Sequence, residues 1–244
     1  MASVLDALVR AFRDLFRFQV LWIVVWPILA AATLWLILGV AFWGTFSGWI
    51  AEGLAAIGIQ DWLEGVEPRW MAHGLQGVAH LLLFVPLVFV TALVMTALFA
   101  MPALVRLVAA RDYPSLVRAR GGGLMGSLLN AMVAVAVFIV IWLAAIPLWL
   151  VGAGMIIPFV AAAYLNQRLF RYDALAEHAD REEMRVLFSA CRSSLWSLGL
   201  VTGLVQFIPF FNLFAPVLAG LTFIHFGLAR LQALRHNSAA AVRA

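Results

Sequence analysis

The chain has no lysine and one cysteine, and none of its long apolar stretches contains an aspartate or glutamate. The lone Cys191 excludes an internal disulfide and any cysteine-rich metal site. Charge of either sign is scarce, at 11% of residues against ~25% in soluble domains. Carboxylates missing from the apolar stretches leave proton-coupled transport without its usual carriers. No Ser/His/Asp arrangement, nucleotide loop or metal-ligand spacing is present, so neither an enzyme nor a bound cofactor is expected. Glu64, Glu67, His73 and His80 match no zinc pattern and are read as part of a solvated acidic loop.

Apolar residues are abundant instead. They make up 65% of the chain, with a mean hydropathy of +1.02, which marks an integral membrane protein in contact with the lipid bilayer. Polar residues fall between the apolar blocks, so residues 1–244 are read as a single membrane domain. The pI near 10.2 would suggest nucleic acid in a soluble protein. Here all sixteen basic residues are arginines at the ends of apolar blocks, as on the cytoplasmic flanks of membrane spans, and no nucleic-acid partner is expected.

Residues 4–19 are read as an amphipathic interfacial helix, with Asp6, Arg10, Arg13, Asp14 and Arg17 on one face. Arg13 and Arg17 have two readings, as anchors to anionic lipid or as contacts for a permeating anion. Residues 20–44, interrupted by Pro27, and 75–105 are expected to be transmembrane helices. The first exceeds the ~7–15 apolar residues of a cleavable signal and is expected to be retained. Trp22, Trp26, Trp35, Trp43 and Trp49 include candidate interfacial anchors, and residues 51–59 a short interfacial helix. The acidic loop between the spans is assigned to the trans side. The linker with Arg106, Arg111, Arg118 and Arg120, the polar stretch 168–192 and both termini are assigned to the cytoplasm. Gly121-Gly122-Gly123 ahead of the next helix is either a hinge or an anion-binding backbone.

Residues 193–229 carry no ionisable group except His225 and are cut in the middle by Pro209 and Pro216, which flank Asn212. Each arm, of about 16 residues, makes ~24 Å of helix against a hydrocarbon core of ~30 Å. That describes a helical hairpin that enters the bilayer and turns back. Residues 124–167, broken by Pro147, Gly152-Ala153-Gly154 and Pro158, read as a second one. Two complete crossings per hairpin would satisfy the same sidedness. The expected fold is therefore an all-α polytopic membrane protein. It has two long transmembrane helices, two proline-broken hairpins (six membrane helices or half-helices) and an N-terminal amphipathic helix.

The segment Phe207-Ile208-Pro209-Phe210-Phe211-Asn212-Leu213-Phe214-Ala215-Pro216 resembles the Ile-Pro-x-x-Asn-Leu-x-x-x-Pro core of CysZ sulfate permeases and the wider etoposide-induced-protein family. Ile157-Pro158 and the stretch from Asn166 to Asp173 add to the likeness, which covers most of the chain. The resemblance implies a multi-pass protein of the bacterial inner membrane, a homo-oligomer, passing sulfate or another small anion into the cytoplasm. Its path residues here are Arg17, Gly152, Gly154, Arg168, Pro209 and Asn212. The glycine and paired arginines that sulfate-transporting members carry early in the first long helix are replaced by residues around Gln19–Trp22. A non-transporting scaffold of the same fold is the alternative. Asn212 has a second reading as a cap for broken helix ends, and Asn166, Gln206 and His225 as packing residues.

Overall fold

The computed structural model describes residues 4–59, 62, 65, 67–119, 121–147, 157–209, 211 and 214–243. They form helices α1 (Val4–Leu15), α2 (Phe18–Ala41), α3 (Trp43–Ala56), α4 (Arg69–Asp112), α5 (Leu124–Ala144), α6 (Ile157–Leu175), α7 (Arg181–Ala190), α8 (Arg192–Val205) and α9 (Ala215–Arg243). Among the described residues there is no β-strand. Four helical stretches among the described residues are long and apolar enough to cross a membrane: Phe18–Ala41, Arg69–Ala92, Met125–Ala144 and Ala215–Ala240. The protein is an all-α polytopic membrane protein. Two compact units divide it, one of residues 1–21 with 100–244, the other of residues 22–99.

In the unit of residues 22–99, α2 continues through Pro27 and α4 through Pro86. The Trp35 indole donates to Thr91 Oγ1 at 2.9 Å, joining α2 to α4 with a polar bond between apolar helices. Trp43 stacks on His80 at 4.7 Å, and His80 Nε2 lies 3.1 Å from Ser47 Oγ. Trp35 is thus an internal tie, and His80 is occupied by its neighbours rather than by a loop metal. The short helix expected over 51–59 forms earlier, as α3.

In the larger unit the core is α9. Leu218, Leu221, Phe223, Ile224, Phe226, Leu228 and Leu231 are all buried against α1, α6 and α8. This helix overruns the arm expected to stop at residue 229. Its 29 residues make ~43 Å, because Arg230 and Arg235 continue the helix instead of ending it. α8 keeps the short length read from the prolines, with 14 residues, or ~21 Å.

Helix α1 ends at Leu15, earlier than expected, and does not lie with all its charges outward. Ala7, Ala11 and Asp14 are buried against α9, whereas Leu5, Val9, Phe12 and Phe16 are exposed. The small side chains let α1 approach α9 closely, and they carry Asp14 inside with them.

The glycine run is not a hinge. Gly121 and Gly122 donate their N–H groups to Ala179 and Ala176 carbonyls, both at 2.9 Å. A Cβ on Gly121 would collide with the backbone of Ala179 and Asp180, and one on Gly122 would lie 2.7 Å from Ala176 Cβ. These glycines allow the linker to press against the turn after α6, and their amides are spent there.

That turn starts α7 with a reciprocal cap. Glu183 N–H donates to Asp180 Oδ1 at 2.7 Å, and Asp180 N–H donates to Glu183 Oε2 at 2.9 Å. Arg235 donates to both Glu183 oxygens, at 2.7 and 2.9 Å, and to the carbonyls of Val117 and His178. The Arg235 guanidinium holds the Glu183 carboxyl below its usual range, against the opposing effect of burial. A depressed folded pKa means that the stabilisation is present above the unfolded value of ~4.3 and is lost as pH falls through the folded one. Glu183→Gln should therefore lower stability by about 1–2 kcal/mol at pH 7. Melting curves of the two proteins in detergent should converge below about pH 4. A constant gap across that range would assign the effect to packing instead.

Candidate functional site

Helices α6 and α8 run antiparallel in close contact. Phe159 meets Phe207 at a centroid distance of 4.6 Å, and Tyr164 meets Trp196 at 6.2 Å. Gly199 and Gly203 sit one turn apart on α8 and face Ala163 and Ala162. Such small-residue spacing lets helix backbones approach where lipid gives no hydrophobic drive to pack.

The seam between them contains amides. Asn166 and Gln167 are 5% and 3% exposed, and Gln206 Nε2 donates to Asn166 Oδ1 at 3.4 Å, a long bond. Asn166 Nδ2 and Gln167 Oε1 are buried without a partner among the described residues. On the side of α6 toward α5, Asn130 Nδ2 donates to the Arg168 carbonyl at 2.9 Å, while the buried Arg168 Nε has no partner among the described residues. Burial also pushes the Asp173 carboxyl up, an effect that Ser127 partly offsets. A buried donor without an acceptor costs ~1–3 kcal/mol, so unspent donors mark a place where something polar is to be met.

A second polar feature joins α1, α4 and α9. The Asp14 carboxylate, in a residue 2% exposed, receives Arg17 Nε at 2.8 Å, the Arg111 guanidinium, and His225 Nε2 at 2.9 Å. His225 Nδ1 lies 3.8 Å from Asp112 Oδ2, and Tyr113 donates to the His225 carbonyl at 3.1 Å. Bonding to Arg111 holds the Asp112 carboxyl below its usual range, and bonding to Asp112 raises Arg111. Ligand atoms of Asp14, Asp112 and His225 lie within 4.8 Å of one another, close enough for a cation. The donor set does not fit one. Arg17 and Arg111 already balance both carboxylates, and a divalent ion would have to displace them. This is a structural ion-pair node.

The expected path residues divide accordingly. Arg17 belongs to the Asp14 node, Arg168 lies on α6 beside α5, and Pro209 is exposed in the turn after α8. Gly152, Gly154 and Asn212 lie outside the described residues. The packing reading of Asn166 and Gln206 agrees with their mutual bond across helices. His225 is packed, as its place on an apolar helix suggests, but as an acceptor-bound member of a charged node. Sequence reasoning passed over Asn130 and Gly199, and met Gln167 only within the family-like stretch from Asn166 to Asp173. Only the Gly199–Gly203 spacing was a signal that could have found the seam.

Neither a curated protein nor a solved structure matches the chain. A family model described as sulfate transporter CysZ/etoposide-induced protein 2.4 matches residues 7–216, most of the chain's length. With its all-helical membrane fold and this match, the chain belongs to the CysZ/etoposide-induced protein 2.4 family.

Proposed function

We propose that the protein passes sulfate or another small inorganic anion passively across the bacterial inner membrane into the cytoplasm, as a homo-oligomer with both termini cytoplasmic. The observation that carries this reading is the Asn166 amide, a buried donor without an acceptor among the described residues, in the seam between the two hairpins. Membership of a family that includes sulfate transporters supports it. A doubly charged oxyanion leaving water needs donors aimed at it, and amide N–H groups supply them without binding so tightly that the ion cannot leave. Helix α8, ~21 Å long against a ~30 Å core, is proposed to stop within the lipid, which brings the turn at Pro209 to the seam's far end, and Asn212 is proposed as a path residue. Gly152 and Gly154 are proposed to line the path from the other hairpin, with Arg168 giving it positive potential. No catalytic or metal chemistry is assigned.

Proteoliposomes loaded with the wild-type protein should take up radiolabelled sulfate above empty vesicles. Asn166→Leu, which removes the donor and nearly keeps the volume, should reduce uptake at least tenfold while leaving the elution profile unchanged. Asn212→Ala should reduce it as well. Equal counts in protein-containing and empty vesicles would end the transport reading. One observation favours the alternative, a non-transporting scaffold: Arg17, the base nearest the first span, is committed to Asp14. A partner that co-purifies stoichiometrically, with no sulfate flux, would select it.

A further inference from the structure

The seam between α6 and α8 is shut. A methyl group at Gly199 would strike the Ala163 carbonyl oxygen, and one at Gly203 would meet Ala162 Cβ and the Ala163 backbone nitrogen at 3.5 Å. The two backbones therefore touch over a turn of helix, with no width left for an ion between them. Ring pairs close the seam on either side of that contact, Phe159 with Phe207 at 4.6 Å and Tyr164 with Trp196 at 6.2 Å. Polar groups are nevertheless enclosed there. Asn166 Nδ2 and Gln167 Oε1, in residues that are almost wholly buried, have no partner among the described residues. Gln206 reaches Asn166 only at 3.4 Å, and Gln167 Cβ would stand 2.9 Å from a Cβ on Gly199, so both α6 amides belong to the face that meets α8.

We propose that this seam is a gate, held closed in this structure, and that α8 moves off α6 to let an anion pass between Asn166 and Gln167 on one helix and Gln206 on the other. The inference rests on the transport reading above and adds to it the step that admits the ion. An enclosed donor and an enclosed acceptor, each without a partner, raise the free energy of the closed seam. Water and an anion entering the parted seam give both groups partners, so opening recovers part of what the packing loses. In lipid no hydrophobic drive holds two helices together, and their contact depends on packing and polar bonds alone. Packing attraction falls steeply once backbones separate, so a touching seam does not widen by degrees. It has two arrangements, one packed with its amides unspent and one parted with them in use. The ring pairs act as apolar constrictions, which stop ions by excluding water until they part. Opening has to reverse, because the amides hold an anion only while both helices face it.

A lock across the seam tests this. Ala162 Cβ and a Cβ at Gly203 would be 3.5 Å apart, at the near edge of the ~3.5–4.5 Å that a disulfide spans. Ala162→Cys/Gly203→Cys is made in a Cys191→Ser background, which removes the chain's sole cysteine. Sulfate uptake into proteoliposomes is measured with the pair reduced, oxidised and reduced again, and the bridged fraction is counted with a maleimide mass tag. The reduced pair should match Cys191→Ser. Oxidation should lower uptake at least tenfold, and dithiothreitol should restore it. Should the reduced pair fail to fold or to match, Tyr164→Cys/Trp196→Cys joined by a short bis-methanethiosulfonate takes its place. Undiminished uptake by the bridged protein would overturn the gate and leave transport standing. So would cysteines that do not pair, since the helices would then be further apart than a closed seam requires. No uptake by Cys191→Ser or by the reduced pair would end the transport reading, and the gate with it.

Discussion

Asp14→Ala should release α1 from the helical core and lower the melting midpoint in detergent by about 10 °C. Asp14 is the shared acceptor of Arg17, Arg111 and His225, and it is almost wholly buried. Removing it leaves the His225 Nε2–H, in a residue 1% exposed, without its acceptor, and leaves Arg111 with Asp112 alone. Breaking a buried pair from one side typically costs ~3–5 kcal/mol, because the stranded partner stays desolvated. Arg17→Gln supplies the contrast. Its side chain is 45% exposed, so water replaces much of what is lost and the expected cost is ~0–1 kcal/mol. Cleavage by a protease between α1 and α2 should accelerate in Asp14→Ala and not in Arg17→Gln. Midpoints that fall together by the same small amount would show that Asp14 is better solvated than its burial implies.

The second large effect is expected at Gly199. A methyl group there would strike the Ala163 carbonyl oxygen and stand 2.9 Å from Gln167 Cβ, and the first of these is backbone that cannot rotate away. Overpacking of this kind costs ~1–3 kcal/mol, here by wedging α8 from α6. Gly199→Ala should therefore lose stability and, on the transport reading, most sulfate uptake as the amides of the seam part. Gly203→Ala should do neither. Its nearest neighbours are at 3.5 Å, ordinary contact, and alanine gains up to ~1 kcal/mol over glycine in helix propensity. Two glycines one turn apart with opposite outcomes are a strict test of the interface. Identical behaviour of the two variants would show that α6 and α8 do not meet as described.

Fold class and membrane location were legible because they depend on sums over many residues. A hydrophobic run long enough to cross a bilayer survives any local misreading, so α2 falls close to the expected 20–44, while the candidate span Arg69–Ala92 within α4 overlaps the expected 75–105 only in part. Helix ends were less legible. Arg230 and Arg235 read as a stop, yet Arg235 continues α9 because Glu183 and two carbonyls receive it. Gly121 and Gly122 before α5 read as freedom when they are close contacts, since a sequence does not say what a missing Cβ would have struck. Asp14 was misplaced for a related reason. Its spacing puts it with the arginines of α1, but the alanines at 7 and 11 turn that edge inward. At the candidate site, the Asn166 donor was not legible, because finding it required knowing which helix lies opposite.

Helix α9 is long and apolar enough to cross the membrane, yet nearly three-quarters of its candidate window is enclosed by the rest of the chain. Its solvent is therefore other helices, not acyl tails. Freed from the demand that lipid makes on an outward face, it can carry Thr222, whose hydroxyl closes on the Leu218 carbonyl, and His225, held by Asp14. It consequently has the weakest hydropathy of the four crossing candidates while organising the most structure. A topology drawn by ranking hydrophobic segments would discard its central pillar first.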